Sequence, residues 1–183
     1  MRFNKSSPGA YSINDIDTLC EQYLRFLYAD LEKQAAATLE QRNITETYGE
    51  ILYPSIDKII ASISLTEQDV FIDLGSGKGK IATQFFLKSL VKEAYGIELL
   101  PELHRFALAC VKRLEVEVPN FFHNSRKLSF LLGSFIEIPF TTATVALINS
   151  TCFTQSLLNE LGNVIENTPN IHTVLSLRPI STL

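Results

Sequence analysis

Val70-Phe-Ile-Asp-Leu-Gly-Ser-Gly-Lys-Gly-Lys80 is the stretch from which the fold is read. Its first three residues are an apolar run, and an amphipathic segment opens near Ile81. Strand, glycine turn and helix follow in that order. Gly75, Gly77 and Gly79 alternate with other residues, so the backbone can turn tightly, take positive φ and let a ligand lie against bare peptide groups. The helix then points its unpaired N–H groups and positive dipole end at whatever sits above the turn. A nucleotide-like ligand suits such a turn.

Spacing separates three kinds of glycine loop. A phosphate loop needs Gly-x-x-x-x-Gly-Lys and then a hydroxyl; here Leu74 takes the place of the first glycine and Ile81 that of the hydroxyl. The dinucleotide fingerprint Gly-x-Gly-x-x-Gly fits Gly75 and Gly77 but meets Lys80 where its third glycine belongs, which speaks against hydride transfer. The alternation Gly-x-Gly-x-Gly, with Asp73 two residues ahead, resembles motif I of class I S-adenosylmethionine-dependent methyltransferases. Ala94-Tyr-Gly-Ile-Glu98 reads as the next strand with an acid at its end, where a carboxylate can take both ribose hydroxyls of an adenosine. The plainer alternative is a glycine turn with two solvated acids at strand ends.

The chain has 183 residues, 46% hydrophobic and 20% charged, enough for one domain with a real core. No apolar run approaches the ~18 residues of a membrane span, and the first residues lack an apolar secretory region. A net charge of −4 argues against a general nucleic-acid binder. The three cysteines, Cys20, Cys110 and Cys152, match neither a zinc pattern nor a disulfide framework. Cys20 and Cys110 fall on apolar helix faces and are expected buried, and no metal site is expected. A reducing compartment follows, cytoplasmic or nuclear.

Ser12 and Asp15 form a capping-box pattern ahead of a helix running to about Gln41, with Ile16, Leu19, Cys20, Tyr23, Leu24, Leu27 and Leu31 on one face. This N-terminal helical extension, residues 1–45, is read as a lid or side support for a domain over 46–183. Tyr48-Gly-Glu50 is either a linker or a loop over the ligand, and Pro54 starts a short helix. Beyond the turn, Ile81, Ala82, Phe85, Phe86 and Leu90 make an inner helix face. Pro101 opens another helix, on which His104 looks away from the apolar stripe and is expected solvated. Strands follow at 128–132, 143–148 and 173–177, with a helix through Leu157 to Ile165. Alternating strands and helices, each strand a continuous apolar run, give an α/β fold: a doubly wound, mostly parallel, Rossmann-like sheet covered on both faces. Asp73, Glu98, Ser134 and Asn149 all sit at carboxyl ends of strands, where such folds bind ligands.

Over residues 46–178, Tyr48-Gly-Glu50, Asp73-Leu-Gly-Ser-Gly77 and Gly96-Ile-Glu98 together resemble the disruptor-of-telomeric-silencing (Dot-type) family of histone-lysine methyltransferases. The resemblance implies S-adenosyl-L-methionine as cofactor and a protein lysine as methyl acceptor. It places Tyr48 and Glu50 on the methionine half and Asp73, Gly75, Gly77 and Gly79 around the centre, and Lys80 is counted among the cofactor-binding residues. Glu98 goes to the ribose, Ser134 and Phe135 to the adenine, and Asn149 beside the reacting methyl, with Phe153 on the channel wall. Ser134 stands where the family has an acid, so it can accept a hydrogen bond but brings no charge. Asn149 can orient an acceptor amine or cap the helix after it.

The family's basic DNA-binding tail has no counterpart in these residues, and Leu183 comes before a C-terminal strand hairpin. Either a longer protein continues, or another element, a partner or a second copy covers the sheet edge. A small-molecule methyltransferase of the same fold, and a cofactor-binding module without turnover, are the alternatives to a protein-lysine enzyme.

Overall fold

The apolar residues of the deciding stretch form β1 (Val70–Leu74), buried along its whole length. The computed structural model describes residues 13–38 and 51–180, and the side chains of 18–34 and 51–180. The Ser12–Asp15 cap and the Tyr48–Glu50 segment lie outside the described residues. Alternate residues of β1 go to opposite faces. Phe71 joins one apolar cluster, while Val70, Ile72 and Leu74 join the other.

Helices α1 (Ile13–Thr38), α2 (Tyr53–Ser62), α3 (Lys80–Lys88) and α4 (Pro101–Glu117) are covered by the first cluster, in which the Phe71 and Phe85 rings stack at 3.7 Å. The second cluster packs α5 (Gln155–Glu166) against the sheet through Leu158, Leu161 and Ile165. Strands β2 (Glu93–Glu98), β3 (Lys127–Leu132), β4 (Val145–Ile148) and β5 (Thr173–Ser176) complete a sheet of order β3-β2-β1-β4-β5, every pair parallel. The chain builds outward from β1 to β3 and then crosses to the other side of β1. The loops after β1 and β4 therefore part, opening a crevice at the carboxyl edge.

Several expectations change. The outer strands are not continuous buried runs: β3 alternates, leaving Leu131 and Leu132 exposed, and β5 is half-buried, because an edge strand has cover on fewer sides. Leu90 is exposed, since α3 ends at Lys88 and does not carry the stripe that far. Cys110 is buried, but Cys20 is only half-buried. His104 is not solvated; it is half-buried, and its Nδ1 is enclosed without a hydrogen-bond partner. Among the described residues, no helix is long and apolar enough to cross a membrane.

Candidate functional site

The glycine turn joins β1 to α3 through three residues of positive φ, Gly75 at 85°, Gly77 at 56° and Gly79 at 81°. At Gly79 a side chain is also excluded by space, because a Cβ would stand 2.4 Å from Phe130 Cζ. This close approach seats α3 on the sheet. Gly75 N and Ser76 N both donate to the Ile97 carbonyl at 3.0 Å, tying the turn to the end of β2.

Glu98 ends β2 beside the turn and is 7% exposed. Its Oε2 accepts from Gly77 N at 2.7 Å and its Oε1 from Leu100 N at 2.8 Å. Backbone amides on two loops thus fix the carboxylate, while each oxygen retains a further lone pair. Asp73 has no such support. It is wholly buried beneath the turn, and neither carboxyl oxygen has a hydrogen-bond partner. Burial first, and the charge of Glu98 second, push its carboxyl up to about 8; the Ala82 N–H offsets part of this without reaching hydrogen-bond geometry.

A cleft of about 440 Å³ opens above these acids, a size suited to a nucleoside-like ligand. Of the residues singled out in the sequence for the site, Gly75, Lys80, Glu98, Ser134, Phe135, Asn149 and Phe153 line it. Asp73, Gly77 and Gly79 stand behind its wall. Phe135 and Phe153 meet at 5.4 Å with planes tilted by 32°, and both reach toward Gly75, where a Cβ would touch Phe153 Cζ at 3.1 Å. Phe153 is carried in by the segment after β4, which Arg178 holds through the Ser150 and Phe153 carbonyls and Gln155 Oε1.

Two polar residues behave differently from the simplest expectation. Ser134 Oγ already accepts from Ile136 N at 3.2 Å, so it shapes the turn after β3. Asn149 is not the cap of α5: Thr154 is, accepting from Leu157 N at 3.2 Å. A short 3-10 turn over Ser150–Cys152 intervenes, and Asn149 Oδ1 accepts from Thr151 Oγ1 at 3.1 Å. The sequence does not single out Leu99 and Leu100, and its helical period gives Leu103 to the apolar stripe of α4; all three give the Glu98 side of the cleft its apolar wall. Their position directly after the strand-ending acid was the available signal.

The order of the sheet, its glycine turn and the acid ending β2 define the class I methyltransferase type of Rossmann-like fold. Solved structures agree. The chain is similar to an RNA methyltransferase from Salinibacter ruber in complex with S-adenosyl-L-homocysteine, with a TM-score of 0.52 and 21% identity, over 70% of this chain and 76% of that one. It is also similar to a putative S-adenosyl-L-methionine-dependent methyltransferase from Methanococcus maripaludis, with a TM-score of 0.52 and 14% identity over 93% of this chain and 68% of that one.

Residues 33–183 match the family described as "Histone methylation protein DOT1", and the chain belongs to it. Curated relatives include histone-lysine N-methyltransferases, H3 lysine-79 specific. That of Emericella nidulans is 32% identical over 151 residues, 78% of this chain and 30% of the relative. That of Caenorhabditis elegans is 31% identical over 119 residues, 62% of this chain and 13% of the relative. The chain thus spans well under half the length of these curated relatives.

Proposed function

We propose that the cleft binds S-adenosyl-L-methionine and that the protein transfers its methyl group to a lysine amine of a protein. One observation carries the cofactor reading: a buried carboxyl without a partner, Asp73, lies under a glycine turn beside a second carboxylate, Glu98, already aimed by backbone amides. A ligand with a cationic end and a vicinal diol fits that pair. Glu98 would take the ribose hydroxyls and Gly75 would give bare backbone to the centre, with Asp73 as buried counter-charge to the ammonium. Lys80, on the cleft wall, is a cation within reach of the ligand's carboxylate. Phe135 would border the adenine, and Ser134 would offer its hydroxyl there. Tyr48 and Glu50 keep the part the family resemblance gives them, on the methionine half.

Bound cofactor supplies a methyl group made electrophilic by its sulfonium. The chain's own part is to place the acceptor in line, since positioning is the main source of rate in such a transfer. Phe153 and Leu157 line the cleft near Asn149, and an apolar wall favours the neutral amine that a lysine becomes on giving its proton to water. Asn149 lines the cleft on the same side, and its amide oxygen is the group that would accept from that amine. We assign the methyltransferase domain to 46–183 and the helical extension to 1–45.

The relatives' names make histone H3 the first acceptor to try, and a histone acceptor goes with action in the nucleus rather than the cytoplasm. Cover for the outer edge of β5 by a partner chain or a second copy belongs to the same proposal, and the solution mass distinguishes the two. Radiolabelled cofactor with nucleosomes, free histones and a protein lysate tests the acceptor. Label on a lysine supports the reading, and label confined to small molecules refutes it. A second reading, a cofactor-binding module without turnover, is favoured by the uncharged Ser134 at the adenine end. S-adenosylhomocysteine binding with no label transferred would select it.

A further inference from the structure

The glycine turn is also held from behind, by α1. Tyr28 is 2% exposed, and its hydroxyl stands 3.3 Å from the Lys78 carbonyl in the turn and 3.1 Å from Thr83 Oγ1 on α3. The same oxygen accepts from the Cys110 thiol on α4 at 3.4 Å. One turn of α1 further on, Glu32 pairs with Lys78 Nζ at 2.7 Å. That ammonium stands 5.3 Å from the centre of the Phe106 ring, which in turn stacks on Tyr28 at 5.8 Å and 17°. Lys80 Nζ, on the cleft wall, lies 5.3 Å over the Tyr28 ring itself. One side chain of α1 therefore touches both the backbone of the turn and its cleft-lining lysine. Tyr28 and Glu32 both precede residue 33, where the family match begins.

The turn needs such a hold. Glycine loses more freedom on ordering than any other residue, and three of the five residues from 75 to 79 are glycine. Gly79, as the cap of α3, has no side chain to fix the helix start. A turn that orders only when ligand arrives binds more weakly than one already set. We infer that Tyr28 and Glu32 are positioning residues for the cleft: by holding Lys78 from α1 they set the glycine turn and Lys80 before the cofactor binds. The inference rests on the reading that this turn takes S-adenosylmethionine, and it makes the N-terminal helix a working part of that site.

Calorimetry with S-adenosylhomocysteine and backbone amide hydrogen exchange, both on the full chain, test it. Tyr28→Phe keeps the ring and removes the hydroxyl. It is expected to raise the Kd about five-fold, the worth of one ordinary hydrogen bond, and to speed exchange at residues 77–80. Glu32→Gln is expected to raise Kd about two-fold, because the pair is partly exposed and screened. Leu24→Ala is the control, one helical turn before Tyr28, wholly buried and apolar, with no hydrogen bond to give. It should lower the urea midpoint more than Tyr28→Phe while leaving the Kd of the folded protein unchanged. An unchanged Kd and unchanged exchange in Tyr28→Phe would overturn the inference, as would a Leu24→Ala Kd raised equally. If the unaltered protein takes no S-adenosylhomocysteine, the cofactor reading falls, and exchange at the turn alone decides whether α1 holds it.

Discussion

Asp73→Asn should make the free protein more stable and the cofactor-bound protein less so. The Asp73 carboxyl is sealed from water, without a donor, and burial with help from Glu98 raises it to about 8. The same group in an unfolded chain titrates near ~3.9. Between about pH 4 and 8 the folded protein therefore holds a proton that the unfolded chain has released. Its stability must fall as pH rises through that window, by roughly 1.4 kcal/mol per unit. Asparagine has the same shape and cannot ionise. The variant should match the wild type near pH 4 and exceed it by a margin that grows, between pH 5 and 8, by at most about 4 kcal/mol. Urea midpoints for both proteins across this range measure the margin, and one that stays flat would refute the burial argument.

Binding gives the opposite sign. With its carboxyl raised, Asp73 is mostly protonated at pH 7, and a cationic group brought close lowers a carboxyl by about 1–3 units. Uptake of S-adenosylhomocysteine by the wild type should therefore release up to about one proton at pH 7 and far fewer at pH 9. Asp73→Asn should release none from this site and bind more weakly. Calorimetry in buffers of different ionisation enthalpy counts the protons. Equal counts for wild type and variant would remove Asp73 from the ligand's surroundings.

Glu98→Ala should weaken S-adenosylhomocysteine binding by on the order of 1.5–3 kcal/mol, the worth of charged hydrogen bonds; an unchanged Kd would mean the ribose is held elsewhere. Gly79→Ala should destabilise the fold by about 2–4 kcal/mol in urea titrations, because positive φ and the 2.4 Å approach to Phe130 act together. A wild-type midpoint would show that α3 can shift away from the sheet at no cost. Asp69 predicts the acid limb. Burial raises its carboxyl, but hydrogen bonds from Thr66, Thr144 and His172 outweigh this and hold it at about 2, so its stabilisation is complete above about pH 4 and lost as pH falls toward 2. Thermal midpoints between pH 5 and 2 should fall less steeply for Asp69→Asn than for the wild type, and equal slopes would refute the assignment.

What the sequence made legible follows from how local each signal is. Val70 to Lys80 announced strand, turn and helix because apolar run, glycine spacing and amphipathic period are written within a few residues. Pro101 marked the start of α4 for the same reason. Edge strands are harder to read, since Leu131 and Leu132 look like core until the sheet order makes β3 the edge strand among the described residues. The Asn149 alternatives could not be separated from composition: both Asn149 and Thr154 are good caps, and only the intervening 3-10 turn assigns α5 to Thr154. Tyr28 shows the limit most clearly. It lies four residues after Leu24 and three before Leu31, so burial was available from the helical period. That its hydroxyl would meet a carbonyl fifty residues later was not.

Three acids at the ends of two neighbouring strands show why the cleft belongs at this edge. Asp69, entering β1, is surrounded by hydroxyls, an amide and a histidine, and is held ionised. Glu98, leaving β2, is held by two backbone amides. Asp73, leaving β1, has only the distant influence of the Ala82 N–H and no formed hydrogen bond, and Ser76 Oγ three residues later is likewise enclosed without a partner. Folded proteins satisfy nearly all their buried polar atoms, so such a shortage calls for a reason. Packing does not supply one, because the same strand satisfies its other acid fully at the opposite end. The shortage falls where the sheet changes direction, beneath a turn whose glycines leave its backbone bare. Folding alone would be better served by an amide or an apolar residue at position 73. A carboxylate there gains its value when something positively charged is brought to the turn, and this ties the cost in free-protein stability to the binding of a cationic cofactor.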